Sequence, residues 1–194
     1  MNSGLRVVNA SVASAMLAGW AMADTPASVP VTWAPYDMII ELNHLPKTYT
    51  CNDLWYKFRD VLWAVDARGI SEILAYDCGP GRADQGLSPK VHVVFTLPRA
   101  VTGIEARGAT ERASSAQIRL APGHPMRLDD SDCVLLQQMN NTLFRSIPLH
   151  VVSASWNCQA RVAAQPSYAL TLQVLKAATA GAQKTTGGAG AHSD

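Results

Sequence analysis

The sequence predicts an α+β fold. Two β–α–β–β units form one pseudo-symmetric body, with both helices on one face of a mixed sheet and one disulfide in each unit. Three observations carry this prediction. The stretch from Cys51 to Cys78, CNDLWYKFRDVLWAVDARGISEILAYDC, is echoed from Cys133 to Cys158, CVLLQQMNNTLFRSIPLHVVSASWNC. Matched features recur at a near-constant offset: Met38 and Ile118, His44 and His124, and Cys78 and Cys158 lie 80 residues apart, and Cys51 and Cys133 lie 82 apart. Such an offset across separate features is the mark of an internal repeat. The hydrophobic period also changes in the same order in each unit, from alternation to helical spacing and back to strand-like runs.

Residues 1–23 read as a secretory signal peptide. Arg6 provides the positive start, Val7 to Met22 the apolar run, and Ala21-Met22-Ala23 a small-residue cleavage site. Its removal leaves fifteen cationic and fifteen acidic residues. A neutral chain has no electrostatic footprint for nucleic acid or for an anionic membrane. No later stretch is long enough to span a bilayer. Four cysteines, an even number, fit an oxidising compartment. Residues 24–36 form a Pro-rich N-terminal segment in which either Val31, Thr32 and Trp33 add a short edge strand or, the favoured reading, Trp33 caps the core.

The first unit covers residues 37–100. Met38, Ile40 and Leu42 alternate with Ile39 and Glu41, as in a strand with one buried face. Leu54, Trp55, Phe58, Val61, Leu62 and Val65 then recur at helical spacing, and Gly69 ends the helix. Thr50 is the expected N-cap, with Asp53 near the positive end of the dipole. A strand ends at Tyr76-Asp77-Cys78, a Gly- and Pro-rich connection spans 79–90, and Val91 to Leu97 form the next strand. Residues 101–114 read as a polar linker.

The second unit covers 115–176. Ile118 and Leu120 alternate with Gln117 and Arg119. Leu135, Leu136, Met139, Leu143 and Phe144 mark a helix that stops before Pro148, and a strand ends at Trp156-Asn157-Cys158. Asp129, Asp130 and Asp132 lack the spacing and the Gly of a calcium loop and read as a helix N-cap cluster. Residues 177–194, rich in Ala, Gly, Thr and Ser, read as a disordered tail.

A right-handed crossover makes the strands that flank each helix parallel neighbours or near-neighbours. It brings the helix start and the end of the following strand to one end of the sheet. Cys51 with Cys78 and Cys133 with Cys158 occupy those places, so one bridge per unit is expected. Two separate sheets, stacked or joined by the linker, are the alternative arrangement.

No sequence pattern identifies a catalytic centre. The G-x-S-x-G elbow, the P-loop, a strand-linked G-x-G-x-x-G and C-x-x-C are all missing from the sequence. The reading is therefore a non-enzymatic binding or adaptor protein of the bacterial periplasm or secreted space. It needs no cofactor, its partner is an unidentified protein or small ligand, and its expected site is the groove between the two units. An alternative uses His44 and His124, which hold equivalent places after the first strand of each unit. With Met126 as a soft ligand, the pair would suit copper or zinc. The competing reading has each ring ending a strand and bonding backbone. His92 and His150 receive no role.

Overall fold

The computed structural model describes residues 27–45, 49–79, 87–158 and 167–177. Residues 1–23, expected to be a signal peptide, and the expected tail beyond Ala177 lie outside them, as does most of the connection after Cys78. The described elements are β1 (Ser28–Glu41), α1 (Cys51–Ala64), β2 (Arg68–Tyr76), β3 (Lys90–Ala100), α2 (Gly103–Gly108), β4 (Glu111–Leu120), a 3-10 turn (Asp130–Asp132), α3 (Cys133–Met139), a π-turn (Asn140–Phe144), β5 (His150–Asn157) and β6 (Ser167–Ala177).

Among the described residues the strands form one six-stranded sheet in the order β2-β3-β1-β4-β6-β5. Every pairing in it is antiparallel, so the expected mixed sheet is corrected. The reason lies in β3. It returns from β2 and takes the place beside β1, so β1 and β2 run parallel to each other with β3 between them. The crossover through α1 therefore joins near-neighbours rather than neighbours. The same holds for β4 and β5, which β6 separates.

β1 is longer than the sequence alternation marks. It begins at Ser28, inside the Pro-rich segment, and Ser28 to Val31 pair with Glu111 to Ser114 of β4. These four pairs join the two halves of the sheet. Trp33 is part of this strand, so of the two readings of Val31 to Trp33 the strand holds and the favoured cap does not. Within 101–114, α2 buries no side chain, and β4 has already begun at Glu111.

Alternation sends Ile40, Val91, Val93, Phe95, Leu120, Leu170 and Leu172 to one face, where they meet Leu54, Phe58, Val61 and Leu62 of α1 and Leu135, Leu136 and Met139 of α3 in a single core. α1 starts where Thr50 and Asp53 form a reciprocal capping box. Asp129 and Asp132 form the matching box ahead of α3. Cys51 is bonded to Cys78 and Cys133 to Cys158, with Cα separations of 5.2 and 5.3 Å. Both lie within the range that disulfide geometry requires.

A buried ionic knot joins the halves. Lys57 of α1 is 7% exposed, and its Nζ donates to Asp132 Oδ2 at 2.5 Å and to the Arg127 carbonyl at 2.6 Å. Asp132 is fully buried and also accepts from the Tyr49 hydroxyl at 2.9 Å and from the Asp129 amide at 2.8 Å. Burial, then the Asp132 charge, raise the Tyr49 pKa far above its ordinary value. Burial, followed by the charges of Asp132 and Asp129, does the same to Tyr168, whose hydroxyl donates to the Asp129 carbonyl at 3.0 Å. These contacts tie α1 and the segment before it to the turns ahead of α3.

Candidate functional site: an aromatic–guanidinium cleft

The cleft that stands out lies between α1 and β2. It encloses about 440 Å³ and is lined by Trp55, Arg59 and Trp63 from the helix and by the run Ala67 to Ile73 from the turn and strand. Its helical wall follows from spacing. Residues 55, 59 and 63 differ by four, so they form one row along the helix. The core-facing row is Leu54, Phe58, Val61 and Leu62. Trp63 falls off that row and is 58% exposed.

The rings are held in place by guanidinium groups. The Arg59 guanidinium sits over Trp55, Tyr56 and Trp63 at 4.8, 4.9 and 4.4 Å from the ring centroids. Each distance is within cation–π range. Arg59 Nε and Nη2 also bond Asp60 Oδ1 at 3.2 and 3.0 Å. Arg127 approaches the other Asp60 oxygen at 3.4 Å and covers Tyr56 at 4.0 Å. Two guanidinium groups therefore share one carboxylate, leaving a surplus positive charge in an aromatic frame.

The frame continues past the cleft. Arg68 stacks on Trp33 at 4.4 Å, and Glu111 takes the Trp33 indole N–H at 3.0 Å and lies 3.7 Å from Arg68. The strand wall is irregular. Arg68 pairs with Thr96 and Glu72 with Val94, so Gly69, Ile70 and Ser71 stand opposite the single residue Phe95. A bulge of this kind leaves its extra residues outside the ladder.

The opposite face of β1, β2 and β3 carries a second cluster. His92 Nε2 lies 2.7 Å from Asp37 Oδ1, and its Nδ1 lies 3.3 Å from Glu72 Oε1. The hydrogen bond to Asp37, aided by Glu72, raises the His92 pKa above its ordinary value and favours the imidazolium. Ile39 and Leu74, both exposed, flank the ring.

The sequence-marked histidines stand elsewhere. His44 follows β1 in a left-handed conformation, beside Asn43, whose backbone exchanges two hydrogen bonds with the Gln138 side chain of α3. His124 lies ahead of α3, in the turn after β4, where its backbone bridges to Ala121. It lines a second, larger cavity of about 750 Å³ with Arg119, Ser167 and Tyr168. Met126 is 86% exposed. Among the described residues no three His, Cys, Asp or Glu side chains converge on a metal position.

Sequence reasoning missed Arg59, Trp63 and Arg68, and it counted Trp55 with the core stripe. The available signal was Trp63, a large aromatic outside that stripe. The Arg68–Trp33 stack bridges thirty-five positions and has no local signature. Comparison of the chain with protein-family models, with curated proteins and with solved structures found no match in any of the three.

Proposed function

We propose that the chain is an exported, disulfide-stabilised, non-enzymatic binding module made of two copies of one β–α–β–β unit, and that it takes its ligand in the α1–β2 cleft. The observation that carries this reading is the Trp55–Arg59–Trp63 row. A half-exposed tryptophan fixed by a stacked guanidinium is a preorganised contact surface, and preorganisation lowers the entropic cost of binding. Aromatic and Arg side chains are also the types that dominate binding energy at interfaces. Duplication is supported by the strand order, in which the first strand of each half lies inside, the third next to it and the second at the edge. It is supported also by a capping box and a helix-start disulfide in both halves. Export is supported by the sequence of residues 1–23 and by two disulfides.

The test is fluorine NMR of the full oxidised chain labelled with fluorotryptophan, screened against small aromatic and carboxylate-bearing fragments. Fragments should move the Trp63 and Trp55 resonances, and Trp63→Ala should abolish saturable binding as read at Trp55. Binders that act only at Trp156 or Trp33, with Trp63 silent throughout, would remove the cleft from consideration.

A further inference from the structure

We infer that the cleft accepts an extended polypeptide bearing a carboxylate side chain, which adds as a new strand along the free edge of β2. This deepens the reading above and rests on it. Three observations point to an extended chain rather than a compact ligand.

The first is the edge itself. Among the described residues β2 ends the sheet and pairs only with β3, so its other side offers a row of amides and carbonyls outside the ladder. The residues that line the cleft form an unbroken run that includes Gly69 to Ile73 of this strand. The bulge frees further backbone groups on the same wall.

The second is a match of periods. Four helical residues advance about 6 Å, so Trp55, Arg59 and Trp63 present three positions over about 12 Å. Alternate side chains of an extended strand are about 6.7 Å apart on one face. Gly69 to Ile73 span about 13 Å in the same geometry. A strand lying between β2 and α1 could therefore place three alternate side chains against the three helix positions in turn. Recognition of this kind takes affinity from the main chain and specificity from alternate side chains.

The third is charge. The central helix position is Arg59, and the cleft lining carries Arg59 and Arg68 against the single carboxylate of Glu72, which lies against His92. The outer positions are indoles. The complementary strand carries a hydrophobic or aromatic residue, any residue, a carboxylate, any residue, and a second hydrophobic or aromatic residue. A guanidinium–carboxylate hydrogen bond is about twice as strong as a neutral one.

The experiment uses acetylated, amidated peptides of about nine residues, the length of a single strand. They are threonine-rich, with Val, Leu, Phe or Trp two places before and after a central Glu. Matched peptides carry Gln or Lys at the centre. Two further sets carry backbone N-methyl groups, one on the odd and one on the even residues. The full oxidised chain with fluorotryptophan reports binding at Trp63. The expected result is saturable binding of the Glu peptide, about tenfold weaker binding of the Gln peptide, and loss of that difference in Arg59→Gln. One N-methyl set should abolish binding and the other should be tolerated, because only alternate amides face the β2 edge. Trp63→Ala, a change at an exposed position that is read at the remaining fluorotryptophan Trp55, should weaken every peptide. Equal binding of both N-methyl sets would overturn strand addition while leaving the cleft as a ligand site. Silence of all peptides, with small fragments still moving Trp63, would do the same. Silence of both probes would overturn the cleft reading as well. A Trp63 shift that depends on protein concentration without peptide would assign the edge to a second copy of the chain and overturn the inference.

Discussion

Lys57→Met tests the joint between the halves. Methionine keeps the length and apolar stem of lysine while removing the charge. Lys57 makes two short contacts, to Asp132 Oδ2 and to the Arg127 carbonyl, and a longer one to Asp129 at 3.4 Å. Without it the fully buried Asp132 keeps Tyr49 and the Asp129 amide as donors but loses its 2.5 Å contact with the Lys57 ammonium. Removing one partner of a buried pair costs about 3–5 kcal/mol, because the other charge stays in a low dielectric. The net stability of a domain is about 5–15 kcal/mol. Lys57→Met should therefore lower the urea midpoint sharply with little change in slope, and lower Tm by roughly 10 °C. Equilibrium urea unfolding of the oxidised protein, followed by far-UV circular dichroism, reads this directly. Asp132→Asn and the double variant complete a cycle, whose coupling energy should reach about 2 kcal/mol. A loss below about 1 kcal/mol for Lys57→Met, or strict additivity in the cycle, would show that the knot is solvated and does not hold the halves together.

Three further outcomes are expected. Opening either disulfide by Cys51→Ser or Cys158→Ser should cost about 3–4 kcal/mol in the chain-entropy account for loops of 27 and 25 residues, and variant and parent should converge under full reduction; equal stability under oxidising conditions would contradict this. The stabilisation that His92 contributes should be fully present below its unfolded pKa of about 6.5 and be lost as pH rises through its raised folded value. Imidazole NMR should show that value falling in Asp37→Asn, and no change would mean that the Asp37 contact does not form in solution. Gly69→Ala should cost about 1–2 kcal/mol, because Gly69 sits at φ +53° and alanine is strained there even though the nearest Thr96 atom leaves room; unchanged thermal stability would place the strain argument in error.

The sequence by itself determined what depends on near neighbours. Thr50 with Asp53 and Asp129 with Asp132 set the helix starts, since a capping box spans three positions. Alternation at Met38 to Leu42 and at Gln117 to Leu120 sorted the buried from the open face, since the side-chain period of a strand is two. The spacing of Leu54, Phe58, Val61 and Leu62 fixed the buried side of α1. Together these gave the α+β class and the placement of the cysteines at helix starts and strand ends. Tertiary structure alone decided which strand lies beside which. A crossover permits neighbours or near-neighbours, and only the return of β3 into the place beside β1 made every pairing antiparallel. It also drew Ser28 to Val31 into the sheet, because an extended Pro-rich segment becomes a strand only when β3 and β4 supply partners. The same reason hid the cleft and the knot. Arg68 over Trp33, Arg127 over Tyr56 and Lys57 against Asp132 join residues 35 to 75 positions apart. Cation–π and ionic contacts fall off within a few ångströms in space and leave no periodic trace along the chain, so folding alone brings them together.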